Sequence, residues 1–484
     1  MPTMPNTIST SRSPRRMLVA GLGAALLLSA CSEFDLRNTN APTVEELTGT
    51  PSRAVLARTA TGIFSQALND VGGIIQQWGI YGREGYNLLG NDPRETGEEI
   101  RGPQEAGGRA GQAWTGGYGA IRTINAYLAA LPVGVGVTEQ EVRASAGFAK
   151  TIKAWHMHRI AVRTGALGMP IDVDKPITEP PAPFVSFAAA EEAVSALLDE
   201  GLADLQAGSA AFPFTVAPGY VGFTTPATFT QFNRALAAKV LVHRATFLAC
   251  AACWAQASTA MNASFVTAAG LPGSLATGVY YAYSTAAGEP LNPVSENIGS
   301  NRYWVHPSIV TGAQLRANGE PDLRLTSKVT QAPTARSLNE LTGTHKPTLY
   351  NLAGTPTSAD QGTDIAWIKN EELLLLRAEI RWNTADKAGA VDDINLVRQH
   401  AGGLAASTLT AGSSDDAFIT ELLYNRVYSL MWEQGTRWID ARRYNRLSDL
   451  PVDRPGDSRY NSMLVPAGEC DARGLSVPCS PLGN

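Results

Sequence analysis

Residues 367–446 hold three apolar stripes in succession, and nothing else in the chain limits its fold as tightly. In Trp367-Ile-Lys-Asn-Glu-Glu-Leu-Leu-Leu-Leu-Arg-Ala-Glu-Ile-Arg-Trp382, Leu375, Ala378, Glu379 and Trp382 fall at i, i+3, i+4 and i+7. One face therefore carries two large apolar anchors, and the spacing predicts a helix over 367–382. Over 385–400 the pattern recurs with Val391, Ile394, Val397 and Ala401, and Gly402-Gly403 supplies the left-handed residue that ends a helix. A third helix is predicted over 415–446, with a stripe of Ile419, Leu423, Val427 and Leu430 and a break at Gly435. Ser414 is placed as its N-cap, and Asp415 and Asp416 occupy the first turn, where the helix dipole favours acids. Short connections fold such helices back as antiparallel pairs, the unit of a tetratricopeptide-like array.

The same period appears earlier in the chain. Helices are predicted over 52–77, 111–131, 139–163, 186–206 and 228–257. The third of these puts Phe148, Ile152, Trp155, Arg159 and Val162 on one stripe. His156 and His158 lie about 200° apart around its axis, so they do not chelate one metal, and one of them is expected to face solvent or a partner helix. On 186–206, Asp199, Glu200 and Asp204 are placed outward. On the last, His243 shares the apolar face with Phe232, Leu236, Val240 and Phe247 and reads as a core histidine. The connections vary in length, so the expectation is irregularly interrupted pairs rather than a clean solenoid.

Between 263 and 364 the helical period disappears. A structureless loop of that length is abnormal, so a folded insertion with short strands and long ordered loops is expected. The 46 Gly and 29 Pro beside only 17% charged residues favour such loops. The fold class is thus mainly α, with tetratricopeptide-like helical pairs and a large loop-rich insertion. The body spans 51–484: a helical lobe at 51–262 and 365–447, the insertion at 263–364 and a tail at 448–484. A net charge of −5 argues against a nucleic-acid partner, which needs clustered Lys and Arg.

The segments Trp367-Ile-Lys-Asn-Glu-Glu-Leu-Leu-Leu-Leu-Arg-Ala-Glu379, Ala390-Val-Asp-Asp-Ile-Asn-Leu-Val-Arg-Gln-His-Ala-Gly-Gly403 and Gly435-Thr-Arg-Trp-Ile-Asp-Ala-Arg-Arg-Tyr444 resemble, in order and spacing, the C-terminal signature of the SusD/RagB family. Asn425-Arg-Val-Tyr-Ser-Leu-Met-Trp-Glu433 stands where that signature is more charged, which bears on the subfamily rather than the fold. The resemblance implies a SusD-like nutrient-binding outer-membrane lipoprotein. Its implied partners are a SusC-like TonB-dependent transporter and a glycan or other nutrient, with cell-surface exposure.

The N-terminus agrees with export. Arg12, Arg15 and Arg16 precede an apolar run over 17–30, too short to span a bilayer as a resident helix and suited to a signal peptide. Leu28-Ser-Ala-Cys31 resembles the bacterial lipobox, so 1–30 reads as a lipoprotein signal peptide, Cys31 as the lipidated residue and 31–50 as a tether. A plain signal peptide cleaved nearby is the alternative. Export also makes disulfides the default for the remaining four cysteines, and two local bridges are expected, Cys250 to Cys253 and Cys470 to Cys479. A zinc site is disfavoured because the second pair is spaced by nine and no His lies beside either pair. A redox role is disfavoured because Cys250-Ala-Ala-Cys253 does not open a helix after a strand.

No nucleophile elbow, His-Glu-x-x-His or phosphate loop is present, so no catalytic residue, metal or cofactor is assigned. Carboxylate pairs of the glycosidase kind leave no spacing rule to read. Arg437, Asp440, Arg442 and Arg443 are read as packing and ion pairs rather than as an anion site. A pyranose is held by an aromatic platform with Asn, Asp, Arg or Gln at its edge. Two stretches supply that mixture: Trp78, Tyr81, Arg83, Tyr86, Asn87 and Asn91, then Tyr280, Tyr281, Tyr283, Asn301, Arg302, Tyr303 and Trp304. The ligand residues expected from them are Trp78, Tyr81, Arg83, Asn87, Tyr283, Asn301, Arg302, Tyr303 and Trp304, with burial between lobes as the competing role for each aromatic. A protein-interaction scaffold binding only the transporter or a peptide is the alternative function, and a glycan hydrolase a third.

Overall fold

The computed structural model describes residues 47–482 apart from 112, 177, 272, 353 and 356. The expected signal peptide, Cys31 and most of the tether lie outside the described residues. Leu47 packs in the main core. Among the described residues no helix is long and apolar enough to cross a membrane.

The chain opens with α1 (Arg53–Ala67) and α2 (Val71–Tyr81), where one helix was predicted; Asp70, at φ 65°, turns the chain between them. β1 (Gly85–Asn87) follows, then α3 (Thr115–Ala130) and α4 (Glu139–Thr164). Thr138 and Glu141 form a reciprocal capping box at the start of α4, satisfying two backbone donors. β2 (Met169–Pro170) and β3 (Phe184–Val185) lead into α5 (Phe187–Gln206), α6 (Pro226–Phe247) and α7 (Ala251–Asn262). The single helix expected over 228–257 is broken by Ala249, at φ 51°, and restarts at Cys250, the N-cap of α7.

Packing of α3 on α4, α4 on α5, α5 on α6 and α6 on α7 builds the tetratricopeptide-like array. Its centre is a cluster in which Phe148, Trp155, Phe229 and Phe232 are nearly or fully buried. Cys250 is joined to Cys253 across 5.4 Å between Cα atoms, and Cys470 to Cys479 across 5.7 Å. Both expected pairs are therefore bridged in the structure.

His156 and His158 are both buried, and of the two expected surroundings, solvent or a partner helix, His158 meets the second. His158 Nδ1 lies 2.9 Å from Glu191 on α5, and its Nε2 lies 3.1 Å from Nδ1 of His243 on α6. Three neighbouring helices are thereby tied through side chains. Asp204 is also buried, bound by Arg143 and Lys150.

The insertion contributes β4 (Gly278–Tyr281), β5 (Tyr303–Val305), α8 (Pro307–Thr311), α9 (Leu323–Lys328) and a hairpin of β6 (Val329–Leu338) and β7 (Leu341–Pro347). It is sewn to the rest of the chain by two antiparallel ladders. β1 pairs with β5, with Tyr86 opposite Trp304 and Asn87 opposite Tyr303. β4 pairs with β8 (Ile365–Lys369).

That second ladder corrects the helix predicted from residue 367. Residues 365–369 are an inter-lobe strand, and Trp367 stacks on Tyr281 with centroids 4.7 Å apart. The helix proper is α10 (Asn370–Asn383), followed by α11 (Lys387–His400), α12 (Asp415–Leu430), α13 (Thr436–Arg443) and, in the tail, α14 (Ala467–Ala472). Leu375, Ala378, Trp382, Val391, Ile394 and Val397 pack together as their spacing predicts. On α12 Leu430 of the predicted stripe is buried, Ile419, Leu423 and Val427 are only half-buried, and the rest of the buried face is Phe418, Leu422, Asn425, Arg426, Tyr428 and Ser429. Its polar members hid it from a hydrophobicity argument, because Arg426 and Asn425 are buried to make ion pairs and hydrogen bonds. Gly435, at φ 62°, is needed where the chain turns into α13, since a Cβ there would lie 2.3 Å from Trp78 Cβ.

Candidate functional site

The β1–β5 ladder brings the two aromatic stretches together, but with their rings inward. Trp78 and Tyr81 pack with Trp438 and Met463, and Trp78 Nε1 donates to Met463 Sδ at 3.3 Å. Arg83 is fully buried and donates to the Ile80 and Ser458 carbonyls. Asn87 donates to Glu95 at 2.6 Å. Tyr303 donates to Gln76 at 3.1 Å, and Trp304 sits beneath Lys346, donating its Nε1 hydrogen to the Asn301 carbonyl. Asn301 is exposed, and Arg302 is half-buried, 3.3 Å from Glu296.

Trp78, Tyr81, Arg83, Asn87, Tyr303 and Trp304 are therefore interior in this structure, which corrects their expected role. Rings of this size bury 150–250 Å² each, as roughly estimated for aromatic side chains, and paired strands offer that burial more fully than a ligand would.

Tyr283 is different. With Tyr280 and Tyr281 it lines an open cleft of about 700 Å³. Four separated stretches build the walls. Thr61, Phe64, Ser65 and Leu68 come from the end of α1 and its C-cap, 215–220 from the loop before α6, 280–290 from β4 and its outgoing loop, and Gly362, Asp364 and Trp367 from the approach to β8 and the strand itself.

Gly219 lets the 218–220 turn lie on β4, since a Cβ there would be 2.0 Å from the Tyr280 carbonyl oxygen, a backbone atom that does not yield. The Tyr280 ring is half-exposed, while Tyr220, Tyr281 and Tyr283 are buried behind it. Burial raises the Tyr220, Tyr280 and Tyr283 phenols above their ordinary range, so they remain O–H donors at neutral pH. The Tyr220 and Tyr283 hydroxyls have no hydrogen-bond partner among the described residues. Asp364 accepts the Tyr283 N–H at 2.9 Å, and burial raises its carboxyl while that bond partly restores the charged form. Aromatic faces, hydroxyls and carboxylates around a wide opening suit a polyhydroxylated ligand.

Two further clefts adjoin. One of about 580 Å³ shares Ser65, Leu68, Tyr283, Glu289 and Pro290 with the first and runs past Asp70 and Gly72. The other, of about 620 Å³, shares Asp70 and Gly73 with the second and ends at Asp92, Arg94 and Arg109. By contrast the cavity beside Trp78, His158 and His243 measures about 30 Å³, room for little more than a water. A pocket of about 250 Å³ lies between α8 and α12, lined in part by Leu423 and Val427 of the predicted stripe. No group of three or more His, Cys, Asp or Glu residues suited to a metal occurs among the described residues.

Behind the last cleft, Arg109 lies 3.3 Å from the buried Glu99, whose carboxyl is pushed up to about 8 by burial, with partial relief from Arg109. In the unfolded chain that group titrates near 4.5. Between these values the folded state holds the extra proton, so its stabilising contribution is full below the unfolded value and is lost as pH rises through the folded one. Glu99→Gln is expected to flatten the fall in urea-unfolding midpoint over this window. The gain is about 2–4 kcal/mol at mildly alkaline pH, with little change in acid; parallel slopes for both proteins would contradict this.

No protein-family model matches the sequence, and no curated protein matches it. Solved structures do. A SusD superfamily protein from Bacteroides vulgatus superposes with a TM-score of 0.64 at 15% identity, covering 89% of this chain and 99% of the other. Surface glycan-binding protein A from Bacteroides uniformis gives 0.63 at 14%, covering 88% and 98%. NanU of Bacteroides fragilis gives 0.61 at 14%, covering 91% and 98%. The fold of this chain is SusD-like over nearly the whole of those proteins' lengths.

Proposed function

We propose that this chain, whose fold is that of SusD superfamily proteins, binds a glycan or a related nutrient and passes it to a SusC-like TonB-dependent transporter. In this reading residues 1–30 are removed, lipid on Cys31 holds the protein at the outer membrane facing the cell exterior, and the remaining chain forms one SusD-like body with the insertion at 263–364. The observation that carries the binding role is the 700 Å³ cleft, with the half-exposed Tyr280 ring on one wall and the exposed Glu289 and Asp364 carboxylates among its lining residues. The likeness in fold to a protein named for surface glycan binding supports the ligand class.

Binding is non-covalent. Sugar C–H faces lie on aromatic rings, and hydroxyls meet the carboxylates and phenols at the edges. Isothermal titration against soluble oligosaccharides is expected to find at least one ligand in the micromolar to millimolar range. Heat-silent titrations across the panel, with the protein folded, would count against a glycan.

A further inference from the structure

We propose that the cleft selects by charge, admitting neutral or amine-bearing glycans and turning away acidic ones. This rests on the reading of the cleft as the ligand site. Among the described residues lining it, the side chains able to carry charge near neutral pH are Glu289 and Asp364, with no Lys, Arg or His beside them. The adjoining cleft adds Asp70 and again no cation.

Several basic groups around these walls are paired or buried rather than open to them. Lys369, at the far end of β8, is held by Glu371 at 3.1 Å and Glu433 at 2.6 Å. Arg159 is buried behind the tyrosines, donates to the Asn69 carbonyl and acts on Asp70. Arg94 and Arg109, at the outer end of the third cleft, are paired with Asp92 and Glu95 at 2.8 and 2.6 Å.

A uronic or sialic carboxylate entering the main cleft would thus lose water beside two like charges and gain no counter-ion, an arrangement that rejects a ligand rather than merely failing to favour it. A protonated amine entering the same space meets Glu289 and Asp364 as charge-assisted acceptors. Neutral glycans need no charge to be held, because the half-exposed Tyr280 ring offers a stacking face and the two carboxylates accept from sugar hydroxyls. Glu289 and Asp364 are both exposed, so the selectivity is of the screened, salt-sensitive kind.

The test uses three sets of oligosaccharides of matched length: neutral glucans, xylans and mannans; amine-bearing glucosamine oligomers; and acidic oligogalacturonates. Binding is measured at low and high salt to the unmodified protein, to the Glu289→Gln/Asp364→Asn variant and to a Tyr280→Ala/Tyr283→Ala variant. Every ligand found is expected to be neutral or amine-bearing. Raising salt, or removing the two carboxylates, should narrow the affinity gap between these and the acidic oligomers by about tenfold. The salt series keeps the test decisive if the carboxylate variant folds poorly. An acidic oligomer that binds as tightly as the others and is lost in the tyrosine variant would overturn charge selection while leaving the cleft as the site. Binding insensitive to the tyrosine variant, or no binding by any oligomer, would overturn the reading of the cleft and this inference with it.

Discussion

Replacing Arg443 with Met is expected to destabilise the protein by about 3–5 kcal/mol, the usual cost of leaving buried charges without their partner. Arg443 donates through Nη2 to Glu379 at 2.8 Å and through Nε to Asp440 at 2.8 Å, and it makes a second contact with Glu379 through Nη1. Arg426 holds the other Asp440 oxygen at 2.7 Å and lies 3.7 Å from Glu379 and 3.9 Å from Glu372, which Lys239 reaches at 2.8 Å. Cations and carboxylates alternate, and all of these side chains are nearly or fully buried.

Burial alone would lift the Asp440 carboxyl, but Arg426 and Arg443 more than reverse that and hold it below its usual range. Without Arg443, Asp440 keeps one partner, and Glu379 keeps the Tyr444 hydroxyl and the more distant Arg426. The double replacement Arg443→Met/Glu379→Met should cost less than the two single changes added together, because it removes both ends of one contact. Urea unfolding of the four proteins measures the coupling; additive losses would mean the network is not joined as described.

Tyr280→Ala and Tyr283→Ala are each expected to weaken ligand binding at least about tenfold, the scale of losing a stacking ring or a central anchor. Tyr283→Phe keeps the ring and removes only a hydroxyl with no exposed surface, so its binding should stay close to that of the unmodified protein. The ring that joins the lobes is Tyr281, stacked on Trp367 and accepting a hydrogen bond from Trp155 Nε1 at 3.0 Å. It is left in place by these changes, so thermal melting should separate a binding defect from a folding one. Trp304→Ala should do the reverse: Trp304 is buried beside Gly343 and Lys346, and its removal should lower stability first.

The helices were legible where an apolar period, a cap and a stop agreed. Ser414 accepts from the Ala417 N–H as an N-cap should, and the stripes of α10 and α11 meet as their spacing requires. Breaks at Asp70 and Ala249 were not legible, because left-handed conformations there fall on residues that carry no glycine signal. The period of its neighbours predicts a helical Trp367, yet the ladder with β4 claims it.

The cleft was legible only in the Tyr280-to-Tyr283 run. Its other walls come from positions more than a hundred residues apart, and Phe64, Tyr220 and Asp364 are ordinary residues until the fold assembles them. The aromatic richness near Trp78 and Trp304 is real, but it marks interior packing: Trp78 rests on Trp438, and Trp304 is buried at the β1–β5 ladder.

The most direct test is a crystal structure with an oligosaccharide found by titration. The expected result is a sugar ring lying against Tyr280, with its hydroxyls within hydrogen-bond reach of Asp364 or Glu289. A ligand seated instead in the pocket between α8 and α12, or over Trp304, would contradict the assignment of the cleft.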